Sequence, residues 1–517
     1  MPLDESNPSA SILARSESEA AVPQPGGLGY FEKFYDPRRL PSAHDWKIEP
    51  SQRIYANRNL RLDEIAAIGF DMDYTLAVYL KREIEELAFE LSLEVMVRDW
   101  GYPADIRQVR YDPNGVIRGL VVDRKLGNLL KMDLFHTVTH ALHGTHPLGP
   151  EERRGLYAHR KIRLGHDRYF SIDTLFGLPE GALFQQLVDF ADRHPQVLPP
   201  DYGPLYDALR KAMDRVHRDD SLKSRILQDP ERYIYRDPRL PATLEKLVTG
   251  GKKLFVATNS EWRYTDAVMS FLLDGQLEYL PHWTDYFHTI VVESSKPRFF
   301  LEEIPLERVE EAASRGPLAA GKVYRRGSVQ PLEALLGAAS DRVLFVGDHI
   351  YGDILRSKKA CGWRTVMIVE EMERELKSDK VSRHMLEDIE RLQRKLEHLD
   401  FRRNVLQMKI ASMEQAAAKG GAGPDLSDAI PHERAELSEL EETIDALQTD
   451  RADMEAVLER RYNPTWGPLF RAGGEISRFG HQVQSYACLY TGRVSNFLAY
   501  PFNKLFRSPR DLMPHDL

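Results

Sequence analysis

Three places along the chain set acids and hydroxyls directly after short apolar runs. Ile65 to Phe70 (IAAIGF) stops at Asp71, with Asp73 and Thr75 next in DMDYT. Leu254 to Ala257 leads into Thr258, Asn259 and Ser260, and Val343 to Val346 leads into Gly347, Asp348 and His349. Ligands of an open parallel sheet bind beyond the carboxyl ends of its strands, so three such runs would deliver these groups to one edge. An aspartate placed there can attack a phosphoryl group and carry it as an aspartyl phosphate, splitting hydrolysis into two displacements. That role falls to Asp71. Asp73 can protonate the leaving ester oxygen and then take a proton from the attacking water. An anionic nucleophile repels an anionic phosphate, so Mg2+ is expected between them, on Asp71, Asp73 and Asp348. Thr258 can offer its hydroxyl and N–H to a phosphoryl oxygen, with Asn259 and Ser260 beside it for substrate. Lys296, in ESSKPRFF, can neutralise charge in the transition state. Taken singly, the lysine reads as solvated surface, Thr-Asn-Ser as a helix cap and DxDxT as a turn. In order, each after a buried strand, they read as phosphoryl transfer.

The elements that must position these groups follow from pattern. Residues 1–28 are rich in Ser, Ala, Pro and Gly and read as a disordered leader. Residues 29–79 form an arm and the first core strand. The gap from Thr75 to Leu254 is roughly 175 residues, far beyond the dozen or so that a parallel crossover needs, so a domain is inserted there. We read 80–240 as this cap, which carries substrate recognition. It holds a helix from Arg82 to Trp100 closed by Gly101 and Pro103, a hairpin of Val116 to Asp123 with Asn128 to Phe135, and helices at Leu183 to His194 and Tyr206 to Leu227. The catalytic core resumes over 241–375, with strands at Leu254, His288, Val343 and Arg364 and helices at Tyr264 to Leu273 and Asp353 to Ala360. From Met385 to Met413 and from Leu437 to Leu458 the four-three spacing of a coiled-coil seam appears. The joint AAAKGGAGPDLSDAIP permits a reversal, so 376–462 reads as an antiparallel helical hairpin, the alternative being two helices lying on the globular body. Residues 463–517 read as a segment docked on the core. His136, His140, His143 and His146 crowd together without a nearby cysteine or acidic cluster, and read as a solvated loop after the hairpin in preference to a metal site.

Composition narrows the class. With 517 residues, 42% hydrophobic and 9% aromatic, the chain suits a soluble globular protein of two or three domains. A net charge of -9 offers no basic field for nucleic acid, so no nucleic-acid partner is expected. No run of about 18 apolar residues suggests a membrane span. Two cysteines and no secretory signal point to the cytoplasm.

FDMDYT, ATNS, Lys296 and GDHIYGD resemble the four motifs of the haloacid dehalogenase superfamily. GFDMDYTLAVY and VGDHIYGDILRSKKACGWRT are similar to the cytosolic purine 5'-nucleotidase family of IMP/GMP-specific type, as are RGLVVDRKLGNLLKMD, DTLFGLPE and SLK. The resemblance implies an α/β fold, a Rossmann-like haloacid dehalogenase core with an inserted cap. It also implies Mg2+-dependent hydrolysis of purine nucleoside 5'-monophosphates, IMP and GMP, with possible phosphate transfer to a nucleoside, and a homo-oligomer, a dimer or tetramer. By matched position, Asp71 is the nucleophile, Asp73 the acid/base and a backbone metal ligand, Asp348 a carboxylate ligand, and Asp353 a supporting acid near the metal. Arg210 and Asp214, four apart on one helix face, match the pair that reads the base edge; a plain helix salt bridge is the alternative. Phe176 and His217 match the stacking pair, and Lys223 a group near the phosphate. Arg218 departs from the family pattern, which places an aromatic there. The activator site for adenine nucleotides maps to Arg163, Tyr351 and Lys359, with Ser171 and Asp173 departing. Two other readings stand beside this one: a phosphatase for another phosphorylated metabolite, and a nucleotide-sensing scaffold acting through its helical hairpin.

Overall fold

The computed structural model describes residues 48–158, 162–164, 167–315, 319, 321–419 and 424–509. The expected leader, residues 29–47 of the expected N-terminal arm and the last eight residues lie outside them. The core is a nine-stranded sheet. Its centre is Ala67–Phe70, flanked in parallel by Val343–Gly347 on one side and Lys253–Ala257 on the other. Beyond Lys253–Ala257 the sheet continues with Thr289–Val292 and Val323–Arg326, both parallel, and an antiparallel edge strand, Leu306–Arg308. Beyond Val343–Gly347 it continues with Arg364–Ile368 and Leu489–Thr491, closed by the short antiparallel Tyr55–Ala56. The central strands are buried along their whole length, which explains their continuous apolar reading: a parallel sheet covered on both faces has no polar side. Gly69 is required there, because a Cβ would come 2.1 Å from the Phe255 ring. That ring packs with Phe345, Phe300 and Trp363 into one aromatic cluster beneath the sheet. Burying each such side chain is worth roughly 1.5–3 kcal/mol.

Between Phe70 and Lys253 the chain leaves the core, and more strand appears there than the sequence suggested. Val121–Asp123 and Asn128–Met132 do form a hairpin, but it belongs to a five-stranded antiparallel sheet with Val138–His143, His146–Pro147 and Tyr169–Ser171. The histidine-rich stretch is therefore mostly strand and not the expected loop. Its residues point to separate partners: His143 lies between Asn128 and Asp192, both at 2.8 Å, while His146 is 3.3 Å from Asp189 and His140 is 3.6 Å from Glu459. Helices follow at Leu178–Arg193, Tyr202–Arg218 and Ser221–Gln228. The single helix expected from Tyr206 to Leu227 is broken in two, because Asp220 adopts a left-handed conformation with φ 62°.

Met372–Ala418 and Pro424–Tyr462 are long helices running antiparallel. Ser378 meets Arg461 at 3.3 Å and Lys409 meets Glu433 at 2.6 Å, while Arg402 pairs with Glu436 and Arg434 with Glu414, so partners descend one helix as they climb the other. Leu396, Leu440 and Ile444 form the buried seam. The first helix runs to Ala418 and the second begins at Pro424, so Pro431 lies inside the second helix, not before it. Among the described residues, no helix is long and apolar enough to cross a membrane.

Candidate active site

Asp71 follows the central strand directly, its N–H donating to Val346 O at 2.9 Å, which fixes the loop against the neighbouring strand. Its Oδ1 accepts from Met72 N at 2.7 Å. Asp348 ends that neighbouring strand, and Asp353 sits one helical turn further on, where it accepts from His349 N at 3.3 Å. Gly347 permits this approach: a Cβ there would come 2.5 Å from an Asp353 carboxylate oxygen. Oxygens of Asp71, Asp348 and Asp353 all lie within 4.8 Å of one another. Asp353, expected from the resemblance as a supporting acid near the metal, brings its carboxylate into this group, while the contribution expected of Asp73 is its backbone carbonyl.

Lys296 Nζ lies 3.0 Å from Asp71 and 2.7 Å from Asp353, over the Phe345 ring at 5.2 Å. Burial works against its charge, yet Asp353 and Asp71 hold the ammonium above its ordinary pKa. Burial pushes Asp71 up to about 6 against the pull of Lys296. Asp348 is raised well above the usual carboxylate range, by burial first and then by Asp353 and Asp71. One ammonium among three carboxylates, two of them buried, leaves negative charge uncompensated, and Asp348 Oδ2 is buried without a hydrogen-bond partner. An oxygen-only donor set with an orphaned acceptor fits a hard divalent cation such as Mg2+.

The strand that ends at Ala257 supplies the other side. Thr258 is fully buried, and its N–H donates to Val291 O at 3.0 Å. The expected N–H donor is thus engaged in the sheet, leaving the hydroxyl. Asn259 braces the lysine loop: its Oδ1 accepts from Lys296 N at 2.6 Å and its Nδ2 donates to Lys296 O at 3.1 Å. Both ends of its amide engage the Lys296 backbone in this way. Ser260 Oγ donates to Asp73 Oδ2 at 2.8 Å, and Tyr79 Oη donates to Asp73 Oδ1 at 2.6 Å.

The inserted segment reaches this edge through aromatic rings. Tyr74 meets Phe176 edge-on at 4.7 Å, and Phe176 meets His217 edge-on at 5.5 Å. Lys223 pairs with Glu261 and lies over the Tyr264 ring at 5.3 Å. Arg210 and Asp214 share the exposed side of Tyr202–Arg218, but the ion partner of Arg210 is Glu180 at 3.8 Å, and its guanidinium lies over Phe170 at 5.0 Å. Asp214 and Arg218 line a shallow cleft with Lys211, Arg215 and Asp219. Tyr79, Tyr264 and Phe170 escaped sequence reading, since an isolated tyrosine or phenylalanine reads as core, as did Glu180, since a lone glutamate in a helix reads as solvated surface. So did Arg118, fully buried, whose guanidinium grips Glu371 and donates to Asp348 O at 3.0 Å. A larger cleft of 1090 Å³ at the base of the helical hairpin, beside Tyr55 and Tyr490, lies away from the carboxylates.

A family model described as the 5' nucleotidase family matches residues 54–517. A 5'-nucleotidase domain-containing protein of Dictyostelium discoideum is 27% identical over 498 residues, 94% of this chain and 78% of that protein. The human 5'-nucleotidase domain-containing protein 2 is 28% identical over 480 residues, 90% of this chain and 85% of that protein. A solved structure described as a predicted phosphoglycolate phosphatase from Haemophilus somnus is 16% identical, covering 59% of this chain and 86% of its own, with a TM-score of 0.25.

Proposed function

The chain belongs to the 5' nucleotidase family, and from that premise we propose that it is a phosphoric monoester hydrolase that cleaves IMP and GMP to nucleoside and phosphate through an aspartyl phosphate on Asp71. The observation that carries this reading is the cluster of Asp71, Asp348 and Asp353 at adjacent strand ends with Lys296 3.0 Å from the nucleophile. Asp71 Oδ attacks phosphorus, and Lys296 opposes the charge that develops on the phosphoryl oxygens, helped by the Thr258 hydroxyl. Asp73 gives its proton to the leaving ester oxygen, then removes one from the water that releases phosphate. Asp71, Asp348 and Asp353 would hold Mg2+, with the Asp73 carbonyl as a further ligand; bound there, the ion supplies Lewis-acid charge neutralisation. Phe176 and His217 would flank the base, Arg210 and Asp214 would read its edge, and Lys223 would stand near the phosphate. On this reading, residues 80–240 act as the cap, and transfer of the phosphoryl group to a second nucleoside shares the same intermediate. Cytoplasmic placement and assembly as a dimer or tetramer belong to the same proposal, the latter open to light scattering.

The test is phosphate release from IMP, GMP, XMP, AMP, UMP, CMP and sugar phosphates, with Mg2+ or EDTA. We expect release that favours IMP or GMP, disappears in EDTA, and is abolished in Asp71→Asn. Release from non-nucleotides alone would retain the chemistry and overturn the substrate.

A further inference from the structure

The guanidinium of Arg118 is shared between partners from different parts of the chain. Nε donates to Glu371 Oε1 at 2.7 Å and Nη2 donates to Glu371 Oε2, a forked pair, while Nη1 donates to Asp348 O at 3.0 Å. Arg118 belongs to the inserted segment, Asp348 follows the core strand Val343–Gly347, and Glu371 stands just before the long helix Met372–Ala418. The arginine side chain is fully buried, with the Phe479 ring 5.1 Å from its guanidinium. The backbone beside it is tied down as well, since Gly119 N donates to Ile172 O at 2.7 Å. What this guanidinium holds is one side of a peptide unit. The carbonyl of Asp348 accepts from Arg118, and the N–H of that same peptide, His349 N, donates to Asp353 Oδ2 at 3.3 Å. A planar peptide held at both its C=O and its N–H has a set orientation, and the direction in which Asp348 presents its carboxylate is set with it. Oxygens of Asp71, Asp348 and Asp353 within 4.8 Å of one another repel, and a loose loop would relieve this by swinging Asp348 away.

We propose that Arg118 is a positioning residue for the divalent-cation site: its fork is anchored on Glu371 so that Nη1 can hold the Asp348–His349 peptide, keeping the Asp348 carboxylate with those of Asp71 and Asp353. The inference rests on the cation site proposed on those three acids. The role is one of geometry. Glu371 already answers the charge of Arg118 through the forked pair, so what reaches the Asp348 loop is a directed N–H. A guanidinium presents its donors in a rigid plane and can serve a carboxylate and a carbonyl at once. A lysine ammonium carries the same charge without that fork. Partners that orient metal ligands typically account for about 10–100-fold in metal affinity.

Metal affinity separates this role from a merely structural one. The probe is Mn2+, titrated into the metal-free full-length protein and followed as free ion by electron paramagnetic resonance, the component lost in Asp348→Asn marking the site. In Arg118→Lys the dissociation constant there is expected to rise roughly 10-fold or more. Glu371→Gln, which weakens the anchor and leaves the arginine in place, should show the same loss more weakly, and it decides alone should Arg118→Lys fail to fold in thermal unfolding. Arg493→Lys is the comparator. Arg493 grips Glu373, a little further along the same helix, with Nε at 2.6 Å and Nη2 at 3.1 Å, and its guanidinium lies over Tyr235 at 4.8 Å instead of on Asp348. Its substitution should lower the melting temperature and leave Mn2+ affinity unchanged. In phosphate release, the Mg2+ concentration giving half-maximal rate should rise in Arg118→Lys in step with the Mn2+ constant. At saturating Mg2+, kcat should return to within about 3-fold of wild type, because a defect of affinity yields to mass action. Wild-type Mn2+ affinity in the folded variants, or an equal loss in Arg493→Lys, would overturn the proposal. A wild type that binds Mn2+ at this site and releases phosphate from no nucleotide would sink the proposed substrate while leaving this comparison readable; a wild type that binds no Mn2+ there would overturn the cation site and this inference with it.

Discussion

Lys296 shows how one residue can be essential through its surroundings. Its ammonium stands between Asp71 and Asp353 at 3.0 and 2.7 Å, and Asn259 holds its backbone from both sides. A group fixed this way needs no reorganisation as charge develops on a phosphoryl oxygen, and removing one such donor costs about 10²–10³ in rate. Lys296→Met should therefore lower kcat by roughly 10²-fold or more in steady-state phosphate release with saturating Mg2+. A loss confined to KM would mean that the lysine only gathers substrate. Lys296 was legible in sequence as a candidate, and its placement was not. It lies 225 positions from Asp71 by their numbers, 296 less 71, and only the strand order brings them together.

At the scale of the element, the helical hairpin depends on a narrow seam. Leu396, Leu440 and Ile444 are its buried cluster, with Ile444 only 1% exposed, while much of the remaining surface of both helices is charged. Truncating a buried Ile to Ala costs about 2–5 kcal/mol. Leu406, Ile410 and Leu458 are buried elsewhere on the same two helices, so Ile444→Ala should open the hairpin locally around this cluster. Hydrogen exchange should show faster exchange over 385–458, with phosphate release unchanged. A uniform rise in exchange across the core sheet would mean that the hairpin and the body unfold as one unit. The four-three spacing made this element readable, since a seam is a local periodic pattern. The five-stranded sheet was harder: its strands are short, and His140, His143 and His146 lie in or beside them without the alternation that marks a half-buried strand.

For the molecule as a whole, buried acids set the response to pH. Glu85, on the helix Lys81–Trp100, is 3% exposed, accepts from Tyr111 at 2.6 Å, and is pushed up to about 7 chiefly by burial. Its folded value exceeds its ordinary 4.5, so the native state binds more protons than the unfolded chain across that interval. Stability from this group is fully present below pH 4.5 and is lost as pH rises through 7. Glu85→Gln should therefore match the wild type at pH 5 and exceed it at pH 8 by on the order of 2 kcal/mol in denaturant unfolding. An unchanged difference between the two pH values would show that Glu85 does not titrate in this window.

By itself, the sequence determined what is local. Apolar runs buried on both faces, a carboxylate at the first position after a strand, a helical seam and an insertion too long for a crossover all follow from neighbouring residues, and the motifs named the family. Tertiary structure alone decided which groups meet. It drew carboxylate oxygens of Asp71, Asp348 and Asp353 within 4.8 Å of one another; it turned Asn259 toward Lys296; it gave Arg210 to Glu180; and it lined up Tyr264, Tyr79 and Ser260 around Asp73. The reason is physical: register and strand order fix distances of a few ångströms between residues far apart in the chain, and no pattern among near neighbours encodes them.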